Sequence, residues 1–277
     1  MKKVVICGKG GIGKSTISTN VCVAAARRGL KVLQVGCDPK HDSCSRHRDG
    51  GVPTVMARFA ETGRLSREDL AALLVEGRNG VHCIEAGGPQ PGEGCAGRAI
   101  SLLVDLLREC PELLEPFDLV VYDLLGDVVC GGFAAPIRTG KDTQVYLVAS
   151  GEFLPIYAAN NIARGVVHLA KRGGGSIGGV IANLRGTPGE RPLLEQFAAA
   201  LGTRIAGSVP RDPRVFEAEL ARRTVIEESP DSPAAVALSE LAATVLATTR
   251  EDLVRPTPLA DAALEEMYLR CMVEARR

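Results

Sequence analysis

The stretch that most restricts how this chain can fold is Gly8-Lys9-Gly10-Gly11-Ile12-Gly13-Lys14-Ser15, followed by Thr16. Four positions separate its first glycine from a Gly-Lys-Ser, the spacing of a phosphate-binding loop. Before it runs Val4-Val5-Ile6-Cys7, which reads as a buried strand, and Ser15 to Arg28 after it reads as a helix. In that context glycines let backbone N–H groups turn inward around phosphate oxygens, and the helix N-terminus adds partial positive charge. Lys14 then neutralises the outer phosphates and the Ser15 hydroxyl holds Mg²⁺, so a nucleoside triphosphate is the expected ligand.

Apolar strand-like runs alternate with amphipathic stretches to about residue 250, the pattern of a parallel sheet covered by helices on both faces. The reading gives strands near 3–7, 31–35, 81–85, 119–122, 144–149, 176–182 and 204–208. No proline- or serine-rich linker divides them. One α/β domain over residues 1–277 is expected, with a helical tail at about 258–277 that packs on its own body or across a dimer. Lys+Arg and Asp+Glu both number 33, so net charge recruits neither nucleic acid nor an anionic membrane. No signal peptide opens the chain and no apolar run approaches membrane-spanning length, which predicts a soluble cytoplasmic protein. Nine cysteines are an odd number for a disulfide framework, and reduced thiols are expected.

In such sheets ligands sit beyond the carboxyl ends of the strands, and four loops there carry chemistry. Gly36 to Ser43 holds Asp38 and Asp42, two carboxylates within reach of a Mg²⁺ shell or an attacking water. Tyr122-Asp123-Leu124-Leu125-Gly126-Asp127 ends an apolar strand in an acid. Its Asp-x-x-Gly spacing lets the Gly126 N–H sense a γ-phosphate, and Asp127 is a candidate to orient water. The other two loops, Gly87 to Arg98 around Cys95 and Val128 to Phe133 around Cys130, surround a thiol with small residues. They leave room for an inorganic group or simply bury small hydrophobes. Two thiols are too few for a [4Fe–4S] cluster, and a twofold dimer would supply the other two. Cys7, Cys22, Cys37, Cys83 and Cys110 read as core.

Taken together, Gly8–Thr16, Gly36–Ser43, Gly87–Arg98, DLLGDVVCGGFAAP from Asp123 to Pro136 and SGEFLPIYAANNI from Ser150 to Ile162 resemble the nitrogenase iron protein and nitrogenase-like reductases. The resemblance runs to about Glu228. It implies a SIMIBI-type fold: a single-domain P-loop NTPase whose mostly parallel twisted sheet is flanked by helices and whose loop carries an extra lysine. It also implies a homodimer that holds one [4Fe–4S] cluster through Cys95 and Cys130 of each subunit. MgATP-driven closure then passes single electrons from a ferredoxin or flavodoxin to a separate heteromeric catalytic component. Lys9 resembles the lysine that reaches the partner's nucleotide, and Gly10, Gly11, Ile12, Gly13, Lys14, Ser15 and Thr16 bind phosphate and Mg²⁺. Asp38 and Asp42 match the first switch, Asp123 and Asp127 the second. Asn183 matches an adenine-binding asparagine, and Pro210, Arg211 and Asp212 match the segment beside the base. Arg98 matches an arginine at the partner-docking surface.

The chain departs from the family at Phe216, where a glutamine is expected near the adenine, and at Cys44. His41 leans towards the chlorophyll-type reductases, whereas the Cys95 loop leans towards nitrogenase; the mixture suggests a third branch that acts on another substrate. Two other ATPase classes share the loop. A partition-type ATPase needs no thiols in its glycine-rich loops, and an iron–sulfur scaffold ATPase is expected to carry a Cys-x-x-Cys pair, which this sequence lacks.

Overall fold

The computed structural model describes residues 1–275 apart from Pro39, His41, 89–95 and 125–130. Among the described residues eight strands make one sheet, in the order β3-β4-β2-β5-β1-β6-β7-β8. They are β1 (Lys2–Gly8), β2 (Val32–Gly36), β3 (Val75–Glu76), β4 (Val81–Glu85), β5 (Leu119–Asp123), β6 (Gln144–Ala149), β7 (Ser176–Asn183) and β8 (Ile205–Val209). All neighbours are parallel except β3 and β4. The seven strands read from the sequence are all present, with ends shifted by at most a residue. The additional β3 is two residues long, too short to show a period, and its shortness blunts an exposed sheet edge.

The strands are mostly apolar because alternate side chains enter two different cores. On β1, Val5 and Cys7 face one core while Val4 and Ile6 face the other; on β5, Val120 and Tyr122 oppose Leu119 and Val121. Each such side chain, fully buried, contributes roughly 1.5–3 kcal/mol relative to exposure. The first core is closed by α4 (Ala96–Glu109), α5 (Gly131–Ile137), α6 (Phe153–Ala170), α7 (Glu190–Ala200) and α11 (Asp261–Glu274), with the short α2 (Val55–Thr62) and α3 (Arg67–Leu73) at its margin. The second is closed by α1 (Lys14–Ala26), α8 (Pro213–Leu220), α9 (Val225–Glu228) and α10 (Pro233–Ala247).

The tail packs on its own body. Leu264, Met267 and Cys271 of α11 are buried, the Tyr268 ring meets Phe153 edge-on at 5.3 Å, and Asn160 on α6 brackets the Leu259 backbone from both its polar groups. Cys7, Cys22, Cys37 and Cys83 are buried as expected. Cys110 is only half-buried, because it ends α4 and turns the chain into the 3₁₀ turn Pro111–Leu113. Among the described residues no helix is long and apolar enough to cross a membrane.

Register brings three loops to one point. Ile6 and Gly36 both pair with Asp123, the Cys37 N–H donates to the Asp123 carbonyl at 3.2 Å, and the Leu124 N–H donates to the Ile6 carbonyl at 3.0 Å. The segments that leave β1, β2 and β5 therefore diverge from a common rigid edge.

Candidate nucleotide site

At that edge the phosphate loop owes its shape to backbone conformation. Gly13 caps α1 at φ 100, in the left-handed region, and a Cβ there would lie 2.6 Å from the Asn183 Nδ2. No acidic residue occupies the first turn of α1, which leaves its positive end to an anion. Lys14 is buried, and its Nζ donates across the loop to the Lys9 carbonyl at 3.1 Å. The same carbonyl accepts from the Ile12 N–H at 3.2 Å. An ammonium held on a carbonyl of its own loop is placed to exchange that carbonyl for a phosphate oxygen.

The acid that ends β5 is the second component. Asp123 is 2 % exposed; its Oδ1 accepts from the Ser18 hydroxyl at 3.3 Å, and its Oδ2 has no hydrogen-bond partner among the described residues. Burial raises its pKa, while the surrounding serine hydroxyls and the Lys14 charge pull the other way. A dry carboxylate with one unspent oxygen fits a hydrated cation held by Ser15, because a buried polar atom left unpaired is costly.

Gly10, Gly11, Gly13, Lys14, Ser15, Thr16, Asp38, Lys40, Asp42, Asp123 and Leu124 line a cavity of about 520 Å³. The structure thus brings together most of the residues assigned to phosphate and Mg²⁺ from the sequence. Within this group Asp38 folds on itself, its Oδ1 accepting from the Lys40 N–H at 2.9 Å, and Asp42 starts a turn whose carbonyl accepts from the Ser45 hydroxyl at 2.6 Å. Lys40, which lies in the same Gly36–Ser43 loop, is a further lining residue.

None of the residues assigned to the base is in the lining of this cavity. Asn183 ends β7, and its Nδ2 donates to the Ile12 carbonyl at 2.6 Å, so it braces the phosphate loop. Arg185, which the sequence reading passed over, donates to the Gly11 carbonyl at 3.2 Å. Pro210 and Arg211 follow β8, whose end is joined to β7 by the Leu184 N–H to Val209 carbonyl bond. Asp212 caps α8, accepting from the Arg214 N–H at 2.9 Å and the Ala234 N–H at 3.1 Å. Phe216 on α8 is 62 % exposed.

A buried set of polar side chains behind the first switch carried no motif. Glu85 ends β4 as Asp123 ends β5, and its Oε1 accepts from the Cys44 N–H at 2.7 Å. Its carboxyl presses on Gly36, where a Cβ would sit 1.9 Å from Oε2, and burial raises its pKa to about 8. The signal available was the strand-end acid itself, adjacent to a glycine across the sheet.

Asp127, Gly126, Cys95 and Cys130 lie outside the described residues. Among the described residues no group of three or more His, Cys, Asp or Glu side chains is arranged to hold a metal ion. What is described is their frame. Ala96 opens α4 and Gly131 opens α5, and the two helices touch through glycine: a Cβ on Gly132 would lie 2.5 Å from the Gly97 Cα.

Comparison with solved structures identifies the architecture. The septum site-determining protein MinD complexed with Mg-ADP from Pyrococcus horikoshii OT3 superposes with a TM-score of 0.67 at 21% identity, covering 87% of this chain and 95% of that one. At that identity the likeness is one of fold. In sequence, nitrogenase iron protein 2 of Methanothermococcus thermolithotrophicus is 43% identical over 268 residues, 92% of each chain. The nitrogenase iron protein of Methanospirillum hungatei JF-1 is 44% identical over 272 residues, 96% of this chain and 95% of that one. Residues 2–274 match the family described as 4Fe-4S iron sulfur cluster binding proteins, NifH/frxC family, and the chain belongs to that family.

Proposed function

We propose that this protein is the ATP-dependent reductase component of a nitrogenase-like system. Two copies hold one [4Fe–4S] cluster through Cys95 and Cys130 of each, and MgATP hydrolysis drives delivery of single electrons to a separate heteromeric catalytic component. A ferredoxin or flavodoxin is the donor that suits this scheme. The chain acts as one functional domain, with α11 as its helical tail. The observation that carries the reading is the contact between the N-termini of α4 and α5. Each helix is preceded in sequence by one of the two cysteines, and the crossing between the helices is glycine to glycine. Helix N-termini favour anionic groups, which suits a thiolate-ligated centre. When bound, the cluster supplies a one-electron redox couple.

The chain's own residues supply the coupling. Lys14 can exchange the Lys9 carbonyl for a phosphate oxygen, Ser15 would hold Mg²⁺, and Asp123 would accept from the cation's hydration shell through its unspent oxygen. Lys9 extends to the partner's nucleotide, while Asp38 moves with the first switch. Asp127 orients the attacking water. It stands three residues before Cys130, so loss of the terminal phosphate is transmitted to a cluster ligand through a short segment. Asn183 and the 210–212 segment flank the base.

Anaerobic purification tests the reading. The expected product is a brown dimer with about four irons per two chains, lost on Cys95→Ser or Cys130→Ser. A colourless protein with undiminished ATPase activity would instead make it a cluster-free partition-type ATPase. Asp127→Asn is expected to slow hydrolysis and keep the chromophore.

A further inference from the structure

We propose that Gln34 and His47 form a positioning pair that pins the far end of the first switch to β2 and confines nucleotide-driven movement to the stretch bearing Asp38 and Asp42. The proposal rests on the nucleotide-switch reading above and concerns residues that no motif assigns.

Gln34 lies in β2, an interior strand whose other side chains are apolar or absent, and it is fully buried. A carboxamide in that position is costly unless every polar atom is paired. All of its bonds go to the first switch and its support. The Nε2 donates to the Ser43 carbonyl at 2.9 Å and to the Thr19 hydroxyl at 3.3 Å, and the Oε1 meets the His47 Nε2 at 2.7 Å. Since a carbonyl accepts only, the nitrogen of the amide must face Ser43. The amide oxygen then faces His47, which must carry its proton on Nε2. Burial lowers the His47 pKa to about 4, so the ring is neutral and its Nδ1 is a bare acceptor without a partner among the described residues.

Other contacts reinforce the anchor. The Thr19 hydroxyl, on α1, donates to the same Ser43 carbonyl at 3.2 Å, and the Cys44 N–H donates to Glu85. Five elements therefore grip residues 43–47: the helix that follows the phosphate loop, β2 and β4, with the 3₁₀ turn Arg78–Gly80, whose Arg78 donates to the Arg46 and His47 carbonyls, and α8, whose Glu219 pairs with Arg46. At its near end the loop is held by the Cys37 N–H to Asp123 carbonyl bond. Between these grips lie Asp38 and Asp42, both facing the nucleotide cavity. A short segment clamped at both ends has few ways to rearrange, so the carboxylates move between defined positions.

Full-length protein with Gln34→Met is the first test, since methionine fills a similar volume and cannot hydrogen-bond in this way. The double variant Gln34→Met/His47→Phe removes both partners together, which avoids stranding a buried donor. Amide hydrogen exchange is read over residues 37–47 with and without MgADP, alongside steady-state ATP hydrolysis. In the double variant, exchange at 43–47 is expected to rise about tenfold without nucleotide while exchange across β1 and β5 is unchanged. The kcat for ATP should fall about tenfold with KM altered less than threefold, because misplaced carboxylates slow the reaction more than they weaken phosphate binding.

A double variant that melts at the wild-type temperature and keeps wild-type exchange and kcat overturns the proposal. So does a uniform rise in exchange across the sheet, which assigns the pair a structural role alone. If Gln34→Met fails to fold, the double variant decides. Absence of ATPase activity in the wild type would remove the switch reading itself, whereas the nucleotide-free exchange result would still judge the anchor.

Discussion

The phosphate loop and the first switch meet at one sheet edge, yet they are built in opposite ways. In the phosphate loop the backbone is the functional surface. Gly13 adopts a left-handed conformation, Lys14 reaches back to a carbonyl of its own loop, and Asn183 braces the Ile12 carbonyl from outside. In the first switch the backbone is the cargo, and the Ser43 carbonyl and Cys44 N–H are held by Thr19, Gln34 and Glu85 from three different elements. A site made of backbone requires glycines in fixed order and therefore reads as a motif. A site held by scattered buried side chains has no motif, because its parts lie far apart in sequence and only the sheet register joins them.

The largest expected effect tests the backbone-built half. Lys14→Ala removes the buried ammonium of the loop, and ATP hydrolysis should fall about 10³-fold in steady-state assays. The next substitution leaves charge untouched. Gly13→Ala must accommodate φ 100 and a methyl 2.6 Å from the Asn183 Nδ2, a strain of about 2–3 kcal/mol. Nucleotide affinity measured by calorimetry should fall by one to two orders of magnitude. Asn183→Ala combined with Gly13→Ala should recover part of the loss, since it removes the clash and leaves the dihedral strain. Equal losses in the single and double variants would locate the whole cost in the backbone.

On the side-chain-built half the expected signature is a pH dependence. Glu85 is lifted to about 8 by burial, against an ordinary value of 4.5. Between those values the folded chain holds a proton that the unfolded chain has released, so stability falls as pH rises through this window and levels off above it. Glu85→Gln keeps an oxygen for the Cys44 N–H and removes the titration. Denaturant unfolding of the metal-free protein should show the wild type losing on the order of 2–4 kcal/mol relative to the variant from pH 5 to pH 8. Parallel pH profiles for the two proteins would remove Glu85 from this account.

The same contrast explains what the sequence made legible. The seven main strands could be read because most of their residues are buried and apolar, and β3 was missed because two residues carry no period. Lys14, Ser15, Asp38, Asp42 and Asp123 could be read because their spacing is local to one loop each, and they line one cavity. Gln34, His47 and Glu85 could not, although a glutamine inside an apolar strand was a visible anomaly. Asn183 and Asp212 were read through resemblance as neighbours of the base, and here each is engaged with protein: Asn183 with the phosphate loop, Asp212 with two helix starts.

The smallest expected effect concerns that last residue and tests whether its structural bonds account for it. Asp212 accepts from the Arg214 N–H at the head of α8 and from the Ala234 N–H at the head of α10, joining two helices that close the second core beside α1. Those bonds hold its pKa below the ordinary carboxylate value despite partial desolvation that works the other way. Asp212→Asn retains one acceptor oxygen and should cost about 0.5 kcal/mol, whereas Asp212→Ala loses both caps and should cost about 1–2 kcal/mol by chemical denaturation. Should both variants bind MgADP with wild-type affinity, Asp212 acts by fixing where α8 begins. A loss of affinity in Asp212→Asn out of proportion to its stability would instead return the residue to the nucleotide, and would extend the side-chain-built half of the site from the first switch to the base.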